Sequence, residues 1–335
     1  MNYLITGGAG FIGSHLADAL ISRGHSVQVF DNFTTGSESN ISHLRDHERF
    51  SLTVGNVLDY HTLEGLVMQA DRVVHLAAAV GVKLIMEEPV ETLVTNVGGT
   101  ENVLKLCYYH NKRVLVASTS EVYGKTLETN SSVNALAETH DLTMGPTGRR
   151  RWAYACSKAF DEFLARAYFD EKNLEVVCTR YFNTVGPRQT GEYGMVVPRF
   201  VQAALANEPL VIHGDGEQTR CFTHVADAVT ATMHLLETDK ALGEVVNVGQ
   251  AHAVSMNELA ETIIALTGST STVEHIPYEK VYGPGYEDMR HRTPDVGLLR
   301  KLTGFAPDRA LEQTLGDIIE YYKRGSEEQQ KKAVG

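Results

Sequence analysis

Tyr154 and Lys158 stand four residues apart in Tyr154-Ala155-Cys156-Ser157-Lys158, a spacing that puts both on one face of a helix. A free phenol loses its proton only near pH ~10, so it serves as a base at neutral pH when neighbouring positive charge favours phenolate. A lysine ammonium one turn away supplies such charge, and the positive ring of an oxidised nicotinamide supplies more. The pair points to removal of a hydroxyl proton coupled to hydride transfer. Ser118-Thr119-Ser120 ends a β-rich run and offers hydroxyls to the same substrate oxygen, with Glu121 next in line. A YxxxK match alone is common on surface helices. Its weight here comes from the motifs around it.

The first of those is Thr6-Gly7-Gly8-Ala9-Gly10-Phe11-Ile12-Gly13, placed between a predicted strand and a predicted helix. Gly7 suits a tight turn, Gly10 a close approach of backbone to a pyrophosphate, and Gly13 close packing of helix on strand, while the helix N-terminus faces the anion. The next strand ends in Asp31-Asn32, where a carboxylate can bind both ribose hydroxyls and repel a 2′-phosphate. NAD is therefore expected rather than NADP.

These residues need a scaffold, and short β-rich runs alternate with longer helical ones as in strand–helix–strand units. Strands are predicted at Tyr3–Thr6, Val27–Asp31, Leu52–Gly55, Val73–Leu76, Val114–Ser118, Val176–Thr179 and Val245–Val248. Helices are predicted at Ser14–Arg23, Pro89–His110, Tyr154–Glu171, Val225–Leu236 and Ser255–Leu266, from apolar residues recurring every three or four positions. The fold class that follows is α/β: a Rossmann doubly wound parallel sheet with a smaller, discontinuous α/β substrate-binding domain. Residues 1–182, rejoined by 223–250, are assigned to the NAD-binding domain, and 183–222 with 251–335 to the nucleotide-sugar-binding domain.

The 335 residues leave room for such a companion domain. Hydrophobic residues at 43% against 21% charged are ordinary globular values, and no apolar run approaches the ~20 residues needed to span a bilayer. With a strand predicted from Tyr3, a cytoplasmic location is expected. A net charge of −12 disfavours nucleic acid as a partner. Cys107, Cys156, Cys178 and Cys221 are far apart and the fourteen histidines show no paired ligand spacing, so free thiols and no metal are expected.

Taken together the motifs resemble the extended short-chain dehydrogenase/reductase family of nucleotide-sugar epimerases, dehydratases and decarboxylases, over nearly the whole chain. TGGAGFIG is similar to that family's cofactor loop, His75-Leu76-Ala77-Ala78 to its fourth-strand motif, Asn96 to its helix asparagine and YACSK to its catalytic pair. The resemblance implies cofactor contacts at Gly7, Gly10, Phe11, Ile12, Gly13, Asp31, Asn32, Asn56, Val57, Leu76, Ala77, Ala78, Asn96, Tyr154 and Lys158. Asn56 departs from the aspartate more usual beside adenine. Asn183 and Arg220 are implied as diphosphate ligands, and Arg188 as a group near the sugar. His213 suits stacking on uracil or a plain strand end. Lys83 and the run Arg149-Arg150-Arg151 could reach a substrate carboxylate or simply face solvent.

Within the family, Ser120-Glu121 resembles the UDP-glucuronate decarboxylases of UDP-xylose synthase type, where dehydratases carry Asp-Glu and 4-epimerases small or hydroxyl residues in place of Glu121. Arg151-Trp152, Thr219-Arg220-Cys221-Phe222-Thr223 and Tyr282-Gly283-Pro284-Gly285-Tyr286-Glu287-Asp288 leading to His291-Arg292 extend the likeness. It implies catalytic roles for Thr119, Ser120, Glu121, Tyr154, Lys158 and Arg292, the last in proton delivery. The expected reaction is NAD-dependent decarboxylation of UDP-glucuronate through a 4-ketone, which is a β-keto acid, to UDP-xylose or a UDP-4-ketopentose. UDP-glucuronate or UDP-glucose 4-epimerisation is the alternative, with a 4,6-dehydratase or a non-catalytic NAD-binding protein behind it. A homodimer through a four-helix contact is also implied.

Overall fold

The computed structural model describes residues 1–80, 88–130, 132–191, 195–282 and 289–334, with 282 and 326–334 as backbone only. Strands Val245–Val248, Val176–Tyr181, Arg113–Thr119, Arg72–His75, Asn2–Thr6, Ser26–Asp31 and Phe50–Val54 lie side by side in that order, and every pairing is parallel. Both faces are covered, as a parallel sheet requires. Along Asn2–Thr6 successive side chains alternate: Tyr3 and Ile5 enter one core and Leu4 the other. The first core packs beneath helices Phe11–Ser22 and Val225–Glu237. The second lies against Tyr60–Gln69, Pro89–Tyr109 and Trp152–Lys172.

All seven predicted strands are present, most of them one or two residues longer or shifted at an end. Strand Val245–Val248 returns beside Val176–Tyr181, with Val245 opposite Cys178. The chain reverses direction across the sheet between Asn2–Thr6 and Arg72–His75, the place where ligands of such sheets bind. Thr6 Oγ1 and His75 Nδ1 lie 2.7 Å apart across that switch.

A third core is built from helices Val196–Leu205, Met256–Thr267 and Leu311–Val334 around short strands. The helices predicted above include neither the first nor the last of these, nor Tyr60–Gln69. Leu311–Val334 is legible in hindsight, since Leu315, Ile318, Ile319 and Tyr322 fall at helical spacing and reach this core. Met256–Thr267 begins at a capping box, Ser255 receiving the Glu258 amide and Glu258 receiving that of Ser255. Among the described residues no helix is long and apolar enough to cross a membrane.

Candidate active site

The glycine loop joins strand Asn2–Thr6 to helix Phe11–Ser22, which starts three residues before its predicted position. Gly10 is the N-cap, and no side chain caps the amides of Phe11-Ile12-Gly13. Those amides and the positive end of the helix dipole face the cavity, as an anion-binding turn requires. Gly7 has φ +72°, and a Cβ there would lie 2.7 Å from the Ala77 nitrogen. A Cβ on Gly13 would come within 2.7 Å of Gly8 Cα, so helix and loop touch only because both positions lack side chains.

Asp31 lies at the adjacent strand end, its carboxylate accepting the Ala9 amide at 2.9 Å and the Phe33 amide at 2.8 Å. Burial raises its pKa, and these backbone bonds pull the other way. Asn32, Asn56, Val57, Leu76, Ala77 and Ala78 line the same cavity, which measures about 1040 Å³. Asn56 Oδ1 is taken by the Leu58 amide at 2.9 Å. Asn96 is not among the residues that line the cavity. It is fully buried, receives the Ala79 amide at 2.8 Å and donates to Ser157 Oγ at 3.3 Å, so it braces the wall from behind.

At the far end of the cavity lie Thr119, Ser120, Glu121, Tyr154 and Lys158. Thr119 ends strand Arg113–Thr119, caps the next turn through the Glu121 amide at 3.2 Å, and hydrogen-bonds the Tyr154 phenol. Ser118 Oγ donates to Glu162, which also receives Arg180 at 2.9 and 2.7 Å, fixing this strand to helix Trp152–Lys172. Lys158 Nζ pairs with Asp161 Oδ2 at 3.1 Å. The Tyr154 pKa is raised, by desolvation first and then by the charges of Glu121 and Asp161, against the lowering bond from Thr119. A neighbouring positive charge acts in the opposite direction, favouring the phenolate.

Arg292 comes in from strand His291–Arg292, where parallel pairing sets it opposite Arg220. Its Nη1 is 3.4 Å from Glu121 Oε1. Arg220 and Asn183 line the cavity, Asn183 donating to the Cys221 carbonyl at 3.1 Å. His213 lies edge-on to Tyr278 with ring centres 6.5 Å apart, both on the cavity wall. Arg188 lines the same cavity. Its backbone turns at φ +67°, and its guanidinium pairs with Asp18 at 2.8 Å on the helix that follows the glycine loop. Lys83 and the segment 283–288 lie outside the described residues.

A family model described as GDP-mannose 4,6 dehydratase matches residues 4–318. The chain belongs to the extended short-chain dehydrogenase/reductase family. Like that family it is NAD-dependent, and the uncapped helix end, the glycine contacts and the Asp31 carboxylate suit the dinucleotide. Within the family, the chain is 42% identical to a UDP-N-acetyl-alpha-D-glucosaminuronate decarboxylase of Bacillus cytotoxicus, covering 96% of this chain and 97% of that one. It is 36% identical to UDP-glucuronic acid decarboxylase 1 of Danio rerio, covering 97% of this chain and 73% of that one. A solved UDP-glucuronic acid 4-epimerase from Bacillus cereus, in complex with UDP-glucuronic acid and NAD, superposes with a TM-score of 0.86 at 28% identity, covering 97% and 99% of the two chains. Beyond the family motifs, the sequence reading missed Asp161 and Tyr278. Neither had a signal: one is an ordinary-looking helix residue and the other a lone aromatic.

Proposed function

We propose that the chain is an NAD-dependent UDP-uronate decarboxylase that converts UDP-glucuronate through a 4-keto intermediate to UDP-xylose. The observation that carries this reading is Glu121 gathered with Arg292 beside Thr119, Ser120 and Tyr154, a charged pair set next to the candidate base. The decarboxylases among the relatives support it. Residues 1–182 with 223–250 hold NAD, and 183–222 with 251–335 hold the nucleotide sugar, Asn183 and Arg220 taking the diphosphate.

NAD, when bound, supplies the acceptor for the C4 hydride and the donor that returns it. Tyr154 takes the 4-hydroxyl proton, with Thr119 hydrogen-bonded to the same oxygen. The resulting 4-ketone is β to the C5 carboxylate, so carbon dioxide leaves with its bonding electrons entering an enolate. Protonated Tyr154 and Thr119 donate hydrogen bonds to the enolate oxygen where the charge develops. Arg292, or a water it holds, then delivers a proton to C5, and Ser120 and Glu121 orient the ring.

A second reading, UDP-N-acetylglucosaminuronate as substrate, is favoured by the relative that is 42% identical. Mass spectrometry of products from UDP-glucuronate, UDP-N-acetylglucosaminuronate and UDP-glucose tests both. Loss of carbon dioxide with a UDP-pentose product is expected from the first. Conversion to UDP-galacturonate with no change of mass overturns decarboxylation. Tyr154→Phe is expected to abolish turnover and retain NAD.

The assembly completing this reading is a homodimer. Val90, Leu93, Val94 and Tyr109 on one helix and Phe160 and Phe163 on its neighbour are exposed. Two such pairs form a four-helix contact.

A further inference from the structure

Of the three consecutive arginines before the tyrosine helix, the fold treats one differently. Arg150 is exposed and Arg149 half-buried, whereas Arg151 is 7% exposed and lines the cavity with Tyr154, Glu121 and Arg292. Its guanidinium lies 5.1 Å from the centre of the Trp152 ring, which is itself buried, a cation–π placement that holds the group in position. Arg151 Nη2 is 3.9 Å from Glu121 Oε1, the same oxygen that Arg292 Nη1 approaches at 3.4 Å. Two guanidinia far apart in the chain thus converge on one corner of the cavity.

That corner has a defined relation to the chemistry. Arg151, the N-cap of the helix, precedes Tyr154 by three residues, so both project from one side of the helix start, separated by ~4.5 Å along the axis. A sugar whose 4-hydroxyl meets Tyr154 carries its C5 substituent on the neighbouring ring carbon, within that span. We propose that Arg151 recognises the C5 carboxylate of the substrate and is the residue that separates UDP-uronates from neutral UDP-hexoses. A planar guanidinium can take a carboxylate through two parallel N–H bonds, and a hydroxymethyl group offers no such acceptor pair. The assignment frees Arg292 for the C5 proton. It rests on the UDP-uronate reading and goes one step further, by naming the carboxylate anchor.

The test uses NAD-loaded protein carrying Tyr154→Phe, so that ligands bind without turning over, with UDP-glucuronate, UDP-glucose and UDP titrated calorimetrically. The parent is expected to prefer UDP-glucuronate to UDP-glucose. Adding Arg151→Gln should weaken UDP-glucuronate at least tenfold and UDP less than twofold, erasing the preference. Arg151→Lys, which keeps the charge and loses the fork, should fall between and serves if the glutamine variant does not fold. Arg150→Gln should match the parent. A preference for UDP-glucuronate that survives both Arg151 changes, or an equal loss for all three ligands, overturns the role of Arg151 and leaves the uronate reading standing. A parent with no preference for UDP-glucuronate overturns the uronate reading itself.

Discussion

Lys158 Nζ lies 3.1 Å from Asp161 Oδ2, three residues on along the same helix, and the two side chains are 2% and 0% exposed. A charge this deeply buried is costly unless it is paired, and Asp161 on the same helix is the partner. Asp161 also opposes ionisation of Tyr154.

Asp161→Asn removes that opposing negative charge, so the phenol ionises more readily. The acidic limb of the kcat against pH profile is expected to move to lower pH, by on the order of one unit. The same change leaves Lys158 buried without its anion and should cost about 3 kcal/mol of stability in urea unfolding. An unmoved limb would show that Asp161 acts on folding alone.

Asp31 is held by the Ala9 and Phe33 amides with its carboxylate on the cavity wall. Asp31→Asn keeps the shape and removes the charge. NAD affinity is expected to fall about tenfold, as for loss of one charge-assisted hydrogen bond, and the preference for NAD over NADP should narrow. Fluorescence titration with both dinucleotides measures it.

His75 is 1% exposed between Thr6 Oγ1 at 2.7 Å and Thr100 Oγ1 at 3.1 Å. Burial, and then the Lys158 charge, lower its pKa to about 3. Because the folded value is depressed, the unfolded chain binds the proton first as pH falls. The contribution of His75 is whole above its unfolded pKa of ~6.5 and declines by about 1.4 kcal/mol per pH unit below it, towards the folded value. Denaturant unfolding of wild type and His75→Asn at pH 7, 6 and 5 should give a stability difference that changes with this slope.

Phe163 is 71% exposed on helix Trp152–Lys172. A charge within the proposed apolar dimer contact would be desolvated without a partner, so Phe163→Glu is expected to shift the proposed dimer to monomer at micromolar concentration. Sedimentation velocity reads the change, and a wild type that already sediments as a monomer refutes the contact.

The amino-acid order determined by itself whatever depends on neighbours along the chain. The glycine loop, the sheet strands and the four-residue spacing of Tyr154 and Lys158 follow from local conformational preference and periodicity, and all are where those rules put them. The helices Val196–Leu205 and Leu311–Val334 were legible in principle from the same period. Only the tertiary structure decided the rest. Strand pairing over seventy residues set Arg292 beside Arg220, and packing brought Arg188 to Asp18 on the helix after the glycine loop. Burial, which no local pattern encodes at a polar position, drew Lys158 to Asp161 and singled out Arg151 from its two neighbours. Charge–charge and desolvation energies depend on distances through space, so the electrostatic surroundings of the Tyr154 phenol follow from the packed chain as a whole.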